Sequence, residues 1–583
     1  MLPVSELPPL ALVIPAVACL ACTAIGRPWP RHPGRWARWV MRFGLLLALA
    51  CVVALLSSLR PAGVLDLTLW RLGPTLPITL QVEVGGATMG VLVLAAALVV
   101  SFAAREARPL ASAALGLAAL GGMLVAFAGD LMALFIGLQL SALGGITLSY
   151  ARHPRAPSRR VLAAALVDQA LALVWLGAVM VVLRGSGTLR LSAVPPSEIT
   201  PLIAGLLILP GVVRLGSCGL LSGRAGSGHL GRARLLDVAD WYTVVALPTG
   251  LMLLLRIQEL AGGAWPETWF GTSLDLLGLV LGVVAVGWVL YSRDPAPELR
   301  ALPLACLALV LAGFGQNSAT GTLLALAGAL FLELAVAFLP RTAHGFQLSP
   351  KAPYAMRSLA RLQAGVGRLA LLLPFSLGVG VGVLGMGLAL GAGVESGLAP
   401  AAAYLAGLAA LALLIPRAWA QAGRWAGSPA LLVPALGLLA SALVPGWAVM
   451  VGAAALPAVG SGASALSAPD PLSLAGMGTI WPGGYLALLA LILAVAVAGL
   501  RLAADRPLPT LFRTAPRGSP ANPPPWVREL VRWRPPARLL PETASWSRQL
   551  LGLADRELAE RPVWLWVGAA GFAAWAVTEL IRL

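Results

Sequence analysis

The sequence has 583 residues, of which 59% are hydrophobic and only 11% are charged. A soluble domain carries about 25% charged residues, so this composition excludes a soluble enzyme with a water-facing surface. The net charge of +17 would suggest nucleic-acid binding in a soluble protein. Here the basic residues are separated by apolar runs long enough to cross about 30 Å of hydrocarbon, so we expect a membrane protein with no nucleic-acid partner.

The apolar runs predict an all-α, polytopic bundle of about sixteen transmembrane helices. Nothing before the first run resembles a cleaved signal peptide, so we expect the first span to be retained. The predicted spans lie near residues 7–26, 38–59, 85–104, 108–128, 130–150, 161–183, 201–222, 236–257, 273–292, 301–316, 320–340, 367–397, 399–416, 428–452, 483–503 and 563–581.

The chain divides into a transmembrane bundle at 1–503, a segment rich in proline and arginine at 504–561, and a last span at 562–583. The prolines of the middle segment forbid a long continuous helix. Only Glu542 to Glu560 is predicted to form a helix of useful length, and its apolar stripe is typical of a short amphipathic helix at a membrane surface.

Alternate loops are strongly basic, whereas the intervening loops, such as 61–84 and 258–272, carry few basic residues. The positive-inside rule places the basic loops in the cytoplasm. Both termini are then predicted on the extracytoplasmic side of the membrane, and segment 504–561 on the cytoplasmic side.

No motif indicates a cofactor or a metal site. Cys19 and Cys22 form a single C-x-x-C pair inside an apolar helix, whereas a zinc site needs further ligands. Two G-x-G-x-x-G strings occur, but neither follows a strand as a dinucleotide-binding loop would. We therefore predict no cofactor and no catalytic residue.

Ionisable residues at membrane depth are the informative ones, because an unpaired charge there costs several kcal/mol. Pro210 precedes one of them, and glycines are frequent between Gly378 and Gly393, so the seventh and twelfth spans are predicted to be broken helices, a feature of ion transporters. The buried-charge candidates are Asp168, Arg214, Asp237, Asp240, Glu333 and Glu395. For Asp237 and Glu395 the alternative is a helix-end residue that reaches the interface.

Several segments resemble the antiporter-like membrane subunits of respiratory complex I, whose relatives occur in multi-subunit Na⁺/H⁺ antiporters and membrane-bound hydrogenases. The segment Asp130-Leu-Met-Ala-Leu-Phe-Ile-Gly-Leu-Gln139 resembles that family's fifth helix, and Gly211-Val-Val-Arg214 its broken seventh helix. Pro248 to Arg256 resembles the eighth, the segment around Glu333 the eleventh, and Gly387 to Gly397 the twelfth. The resemblance implies inverted repeats and, from the sixteen spans, the distal member of the group.

The resemblance also implies which functional residues have been replaced. Gln139 stands where the family has a glutamate, whereas Arg214, Pro248 and Gly397 stand where it has lysines. The family is thought to pass protons through those groups. Gln139 cannot ionise, and an arginine stays protonated in proteins. We therefore expect an impaired or structural role for these positions.

The leading interpretation is a non-redox, non-catalytic membrane-arm subunit of a complex-I-like or hydrogenase-like quinone oxidoreductase. It would lie in the cytoplasmic membrane of a bacterium, with lipids, protons or other ions, and neighbouring membrane subunits as partners. An alternative is the membrane half of a two-component transporter for ions or inorganic carbon. A lipid or sugar transferase is disfavoured, because Glu83, Glu259 and Glu267 are predicted to be scattered in the outer loops.

The charge of Arg214 needs a carboxylate, because the family's acidic residue on the fifth helix is replaced by Gln139. Asp168 on the sixth span and Asp240 on the eighth are the candidates. We predict Asp168 as the partner, since it lies deeper in its span, and a hydrogen bond from Gln139 to the same site.

Overall fold

The computed structural model describes most of the first 316 residues and selected parts of the remainder. The predicted spans at 428–452, 483–503 and 563–581, and segment 504–561, lie outside the described residues. The described residues are 6–25, 33–59, 64–71, 77–103, 108–152, 159–217, 238–262, 265, 268–291, 298–316, isolated positions between 318 and 336, 378–390, 394–422, 466–467, 474–476 and 479–481.

Long apolar helices make up most of this part of the chain, as predicted. Eight of them are long and apolar enough to cross a membrane, which makes the chain a multi-pass membrane protein. The helices are α1 (Leu7–Ile25), α2 (Pro33–Ser58), α3 (Val84–Ala103), α4 (Pro109–Ala126), α5 (Leu131–Arg152), α6 (Arg159–Ser186), α7 (Pro201–Gly216), α8 (Val238–Leu260), α9 (Thr268–Tyr291), α10 (Glu298–Gly315), α11 (Gly378–Leu390) and α12 (Val394–Ala422).

Three features of the helices differ from the prediction. Helix α7 stays helical across Pro210 and ends at Gly216, so the predicted break at this proline is not seen. The irregular turn lies instead in α8, where Tyr242–Ala246 is a π-helical turn directly before the regular helix Leu247–Leu260. Residues from Val394 onward belong to α12, so the predicted twelfth span at 367–397 ends too late.

Two small β-sheets add to the predicted all-helical fold. Strand β1 (Leu65–Arg71) pairs antiparallel with β2 (Pro77–Val82), in the loop at 61–84, for which no strands were predicted. The backbone of β2 also bonds the α4–α5 connection, because Gly129 N–H donates to the Thr79 carbonyl at 2.9 Å and Gln81 N–H to the Phe127 carbonyl at 2.8 Å. The second sheet holds β3 (Leu466–Ser467), β4 (Leu474–Gly476) and β5 (Thr479–Trp481).

Small residues bring α4 and α5 into close contact. A Cβ on Gly121 would lie 2.2 Å from the backbone nitrogen of Ser141, and one on Gly144 would lie 2.3 Å from that of Ala118. Helix association in membranes depends on such small residues, because apolar burial offers little driving force between helices in lipid. The close approach of the two helices fixes the position of Ser141, which faces the centre of the bundle.

Candidate functional site

The candidate site begins on α6, which packs against its neighbours along one narrow face. Val161, Ala165, Asp168, Trp175 and Val179 are buried on this face at heptad-like spacing, whereas leucines and valines between them are exposed. Trp175 stacks on Phe135 of α5 with a ring separation of 6.1 Å, and its indole N–H donates to the Leu207 carbonyl of α7. These contacts turn Asp168 toward α7.

Arg214 on α7 makes a bidentate ion pair with Asp168, as predicted. Its Nε donates to Oδ1 and its Nη2 to Oδ2, each at 2.7 Å. Both side chains are buried, with exposed fractions of 3% for arginine and 6% for aspartate. A paired geometry of this kind satisfies the planar guanidinium and gives the buried site no net charge.

Three further acceptors complete the shell of Arg214. Its Nη1 donates to Thr249 Oγ1 at 2.5 Å and to Ser141 Oγ at 3.4 Å, and its Nη2 donates to the Leu138 carbonyl at 3.1 Å. A guanidinium has five N–H donors. Each of the five has an acceptor here, which explains how a permanent charge is accommodated at membrane depth.

The irregular turn of α8 positions Thr249. Pro248 has no N–H to donate to the preceding turn, and the π-helical turn lies directly before it. Thr249 Oγ1 donates to the Val245 carbonyl at 2.5 Å and so offers a lone pair to Arg214. Helices α7 and α8 cross closely at glycines, since a Cβ on Gly250 would lie 2.9 Å from the Gly211 carbonyl oxygen.

This arrangement holds the positive charge of Arg214 between four helices. An arginine stays protonated in proteins, and its hydrogens here are all directed to acceptors in place. Asp168 accepts two of those hydrogen bonds. The site therefore cross-links α5, α6, α7 and α8.

The other predicted site residues lie elsewhere. Gln139 is half-buried and makes no hydrogen bond to Arg214 among the described residues, so that prediction is wrong, and Leu138 and Ser141 supply the contacts instead. Asp240 contacts Arg152 at the end of α5. Glu333 is buried, and its Oε1 has no hydrogen-bond partner among the described residues. Glu395 belongs to α12, and its side chain lies outside the described residues.

A second buried ion cluster was not predicted. Arg256 Nη1 contacts Glu83 Oε1 and lies 2.8 Å from Glu259 Oε2, and only 1% of the Arg256 side chain is exposed. The prediction that these glutamates are scattered is therefore wrong for two of the three, and Glu267 lies outside the described residues. The cluster ties the β2–α3 junction to the end of α8, across a separation of 173 residues.

Asp130 anchors β2 at the same end of the bundle. Its Oδ2 accepts from the backbone N–H of Thr79 at 2.5 Å and from its hydroxyl at 3.0 Å, and its Oδ1 accepts from Ala133 N–H at the start of α5. Burial raises the pKa of the Asp130 carboxyl, and these hydrogen bonds oppose that shift. The aspartate therefore acts as a structural cap.

Arginines at the opposite end bind the carboxyl ends of helices. Arg42 Nη2 donates to the Ser101 carbonyl at 2.9 Å near the end of α3, and Arg108 Nη1 donates to the Ala151 carbonyl at 2.9 Å near the end of α5. Cations are favourable at helix C-termini, where carbonyls lack partners within the helix. Arg152 and Asp240 pair at the same end.

No protein-family model matches the chain, and no curated protein matches it. Among solved structures, it is similar to a chain of the Mrp complex from Dietzia sp. DQ12-45-1b, at 18% identity and a TM-score of 0.60, over 100% of this chain and 63% of that chain. It is also similar to a chain of the membrane-bound sulfane sulfur reductase, an archaeal respiratory membrane complex, at 15% identity and a TM-score of 0.61, over 99% of this chain and 100% of that chain.

A third similar structure is a chain of respiratory complex I from Thermus thermophilus with bound NADH. The identity is 17% and the TM-score 0.54, over 79% of this chain and 100% of that chain. The chain has the antiporter-like fold of these membrane complexes. The resemblance drawn from Asp130 to Gln139 and from the other segments is thereby confirmed at the level of fold. The chain spans less than two thirds of the length of the Mrp chain that it matches.

Proposed function

We propose that the chain is a non-redox membrane-arm subunit of a complex-I-like or hydrogenase-like ion-translocating assembly, in which a fixed ion pair replaces the usual proton path. The observation that carries the proposal is the complete shell of Arg214, whose five N–H donors all meet acceptors. Such a group holds helices together without cycling protons. The fold supports the assembly, and the site supports the structural role.

Further residues support the same view. Gln139 and Pro248, at positions where the family has a glutamate and a lysine, have no proton to exchange with Arg214. Asp168 accepts two hydrogen bonds from a permanent cation. Asp240 is engaged at the end of the bundle with Arg152. Glu333 is the remaining predicted carboxylate whose side chain is described, and its Oε1 has no hydrogen-bond partner among the described residues.

The expected partners are other membrane subunits, and the surface of α6 fits that expectation. Leu166, Val167, Leu173, Val174 and Val181 are between 43% and 55% exposed on its outer side. Lipid acyl chains or a neighbouring apolar helix would cover such a surface. We place the protein in a bacterial cytoplasmic membrane with its arginine-rich end, which includes Arg42, Arg108 and Arg152, in the cytoplasm.

The proposal is tested by the proteins that accompany the chain. The tagged full-length chain is purified from its native membrane in a mild detergent, and the intact complex is analysed by mass spectrometry. Co-purifying iron–sulfur and quinone-site proteins are the expected result. Recovery with one soluble partner and no other membrane subunit would favour the two-component transporter, and recovery of the chain alone would contradict the proposed assembly.

A further inference from the structure

A second group of buried polar side chains lies between α9, α10, α11 and α12, away from Arg214. Asp275 on α9 is 4% exposed, and its Oδ1 has no hydrogen-bond partner among the described residues. The carboxylate lies against the end of α10, since a Cβ on Gly315 would come within 2.1 Å of Oδ1. An unpaired buried carboxylate is costly unless a proton or a cation neutralises it.

Two other side chains converge on the same place. Gln316, directly after α10, donates from Nε2 to the Gly385 carbonyl of α11 at 3.2 Å, which leaves its buried Oε1 without a described partner. Tyr404 of α12 is fully buried, packs its ring on Gly385, and has a hydroxyl without a described partner. Gly385 thus contacts both Gln316 and the Tyr404 ring, and Gly315, which precedes Gln316, lies against Asp275.

The backbone adds negative partial charge to this group. Helix α10 ends at Gly315, and the last carbonyls of a helix have no partner within it. The C-terminal end of the helix dipole therefore points at Asp275 and favours a cation. Trp265 Nε1–H donates to the Phe314 carbonyl at 2.9 Å, so only one of these carbonyls is given a partner by this side chain.

The cluster lies at the same end of the bundle as Arg256. Thr322 Oγ1 donates to Gln258 Oε1 of α8 at 3.3 Å, and a Cβ on the neighbouring Gly321 would lie 2.9 Å from the Cβ of Gln316. A line of polar side chains thus connects the end of α8 to the Asp275 group. Arg256 is held by Glu83 and Glu259, so it is not available to Asp275.

We propose that Asp275, Gln316 and Tyr404 form a binding site for a small monovalent metal cation. The unpartnered atoms are a carboxylate, an amide oxygen and a hydroxyl, all of which are oxygen ligands for hard cations. One carboxylate balances one positive charge, whereas a divalent ion would leave a net charge in the membrane. The site does not depend on the proposed function, because a cation would stabilise these helices in any assembly.

The purified full-length chain is unfolded by heat in detergent with sodium, potassium or choline chloride at constant ionic strength and pH. A ligand that binds only the folded state raises the midpoint with concentration. We expect sodium or potassium to raise it saturably by about 2 °C relative to choline. Asp275→Asn should abolish the difference, whereas Asp66→Asn, at an exposed carboxylate, should keep it.

Tyr404→Phe provides a milder test, since it removes one hydroxyl and preserves the ring. We expect the half-saturating cation concentration to rise about fivefold, as for the loss of one modest polar contact. A wild-type midpoint that is equal in sodium, potassium and choline at every pH would overturn the site. So would a saturable cation effect that survives both Asp275→Asn and Tyr404→Phe, or one that only a divalent ion produces.

Discussion

Arg214 of α7 holds both carboxylate oxygens of Asp168 of α6 at 2.7 Å, and both side chains are buried. The pair balances a charge that arginine cannot lose. Hydrogen bonds to Ser141 and Thr249 extend the same contact to α5 and α8. Four helices therefore meet at one guanidinium.

Removing both partners of this pair should cost less than the sum of the two single removals. We expect Arg214→Ala or Asp168→Ala to destabilise the chain by about 3–5 kcal/mol, because either leaves an uncompensated buried charge. The Asp168→Ala/Arg214→Ala double variant should lose less than the sum of the two single variants. Thermal or denaturant unfolding in detergent measures the coupling, and strictly additive losses would show that the two residues do not interact.

The close packing of α4 against α5 should stabilise the Arg214 site indirectly. Gly121→Ala places a Cβ 2.2 Å from the backbone nitrogen of Ser141, so α4 and α5 must separate. We expect a loss of about 1–3 kcal/mol. Gly177→Ala on α6 is the matched control, because nothing lies within 4 Å of its added Cβ. Equal unfolding midpoints for the two variants would refute the packing argument.

The helical fold and the central ion pair could both be predicted from the sequence. Hydropathy located the spans, and the cost of an unpaired Arg214 required a carboxylate such as Asp168. The contacts to Thr249 and the Leu138 carbonyl could not be predicted, because they depend on the rotation of each helix about its axis. For the same reason, the sequence could not show that Gln139 makes no hydrogen bond to the arginine among the described residues.

Other features were missed for different reasons. Glu83 and Arg256 are 173 residues apart, and a single sequence contains no signal that brings them together. The hairpin of β1 and β2 had a visible signal, since apolar residues alternate along Leu65–Arg71, as is typical of a half-exposed strand. Asp275 was not predicted as a site residue, because the carbonyl end of α10 beside it is visible only in three dimensions.

The two glutamates on Arg256 should differ in importance. Glu83 joins the β2–α3 junction to α8, whereas Glu259 lies on the same helix as Arg256 and its side chain is 20% exposed. We expect Glu83→Gln to cost about 2–3 kcal/mol and Glu259→Gln less than about 1 kcal/mol. Unfolding of the two variants in the same detergent measures this order. A larger loss for Glu259→Gln would reverse the assignment.

Charge asymmetry predicts which face of the membrane each loop occupies. A cysteine introduced at Arg155 should be labelled from the cytoplasmic side, and one at Ala264 from the opposite side. An impermeant thiol reagent applied to intact cells and to inverted vesicles separates the two cases, in a background without the natural cysteines. Labelling of both positions from one side would contradict the topology.

The central claim is that Arg214 is structural, and the most direct measurement compares assembly with transport. Arg214→Ala is expressed in the native assembly, the amount of intact complex is measured, and proton translocation is then normalised to that amount. We predict that assembly falls severely and that translocation per assembled complex remains close to the wild-type value. Normal assembly combined with abolished translocation would contradict the account, because Arg214 would then belong to an active ion path.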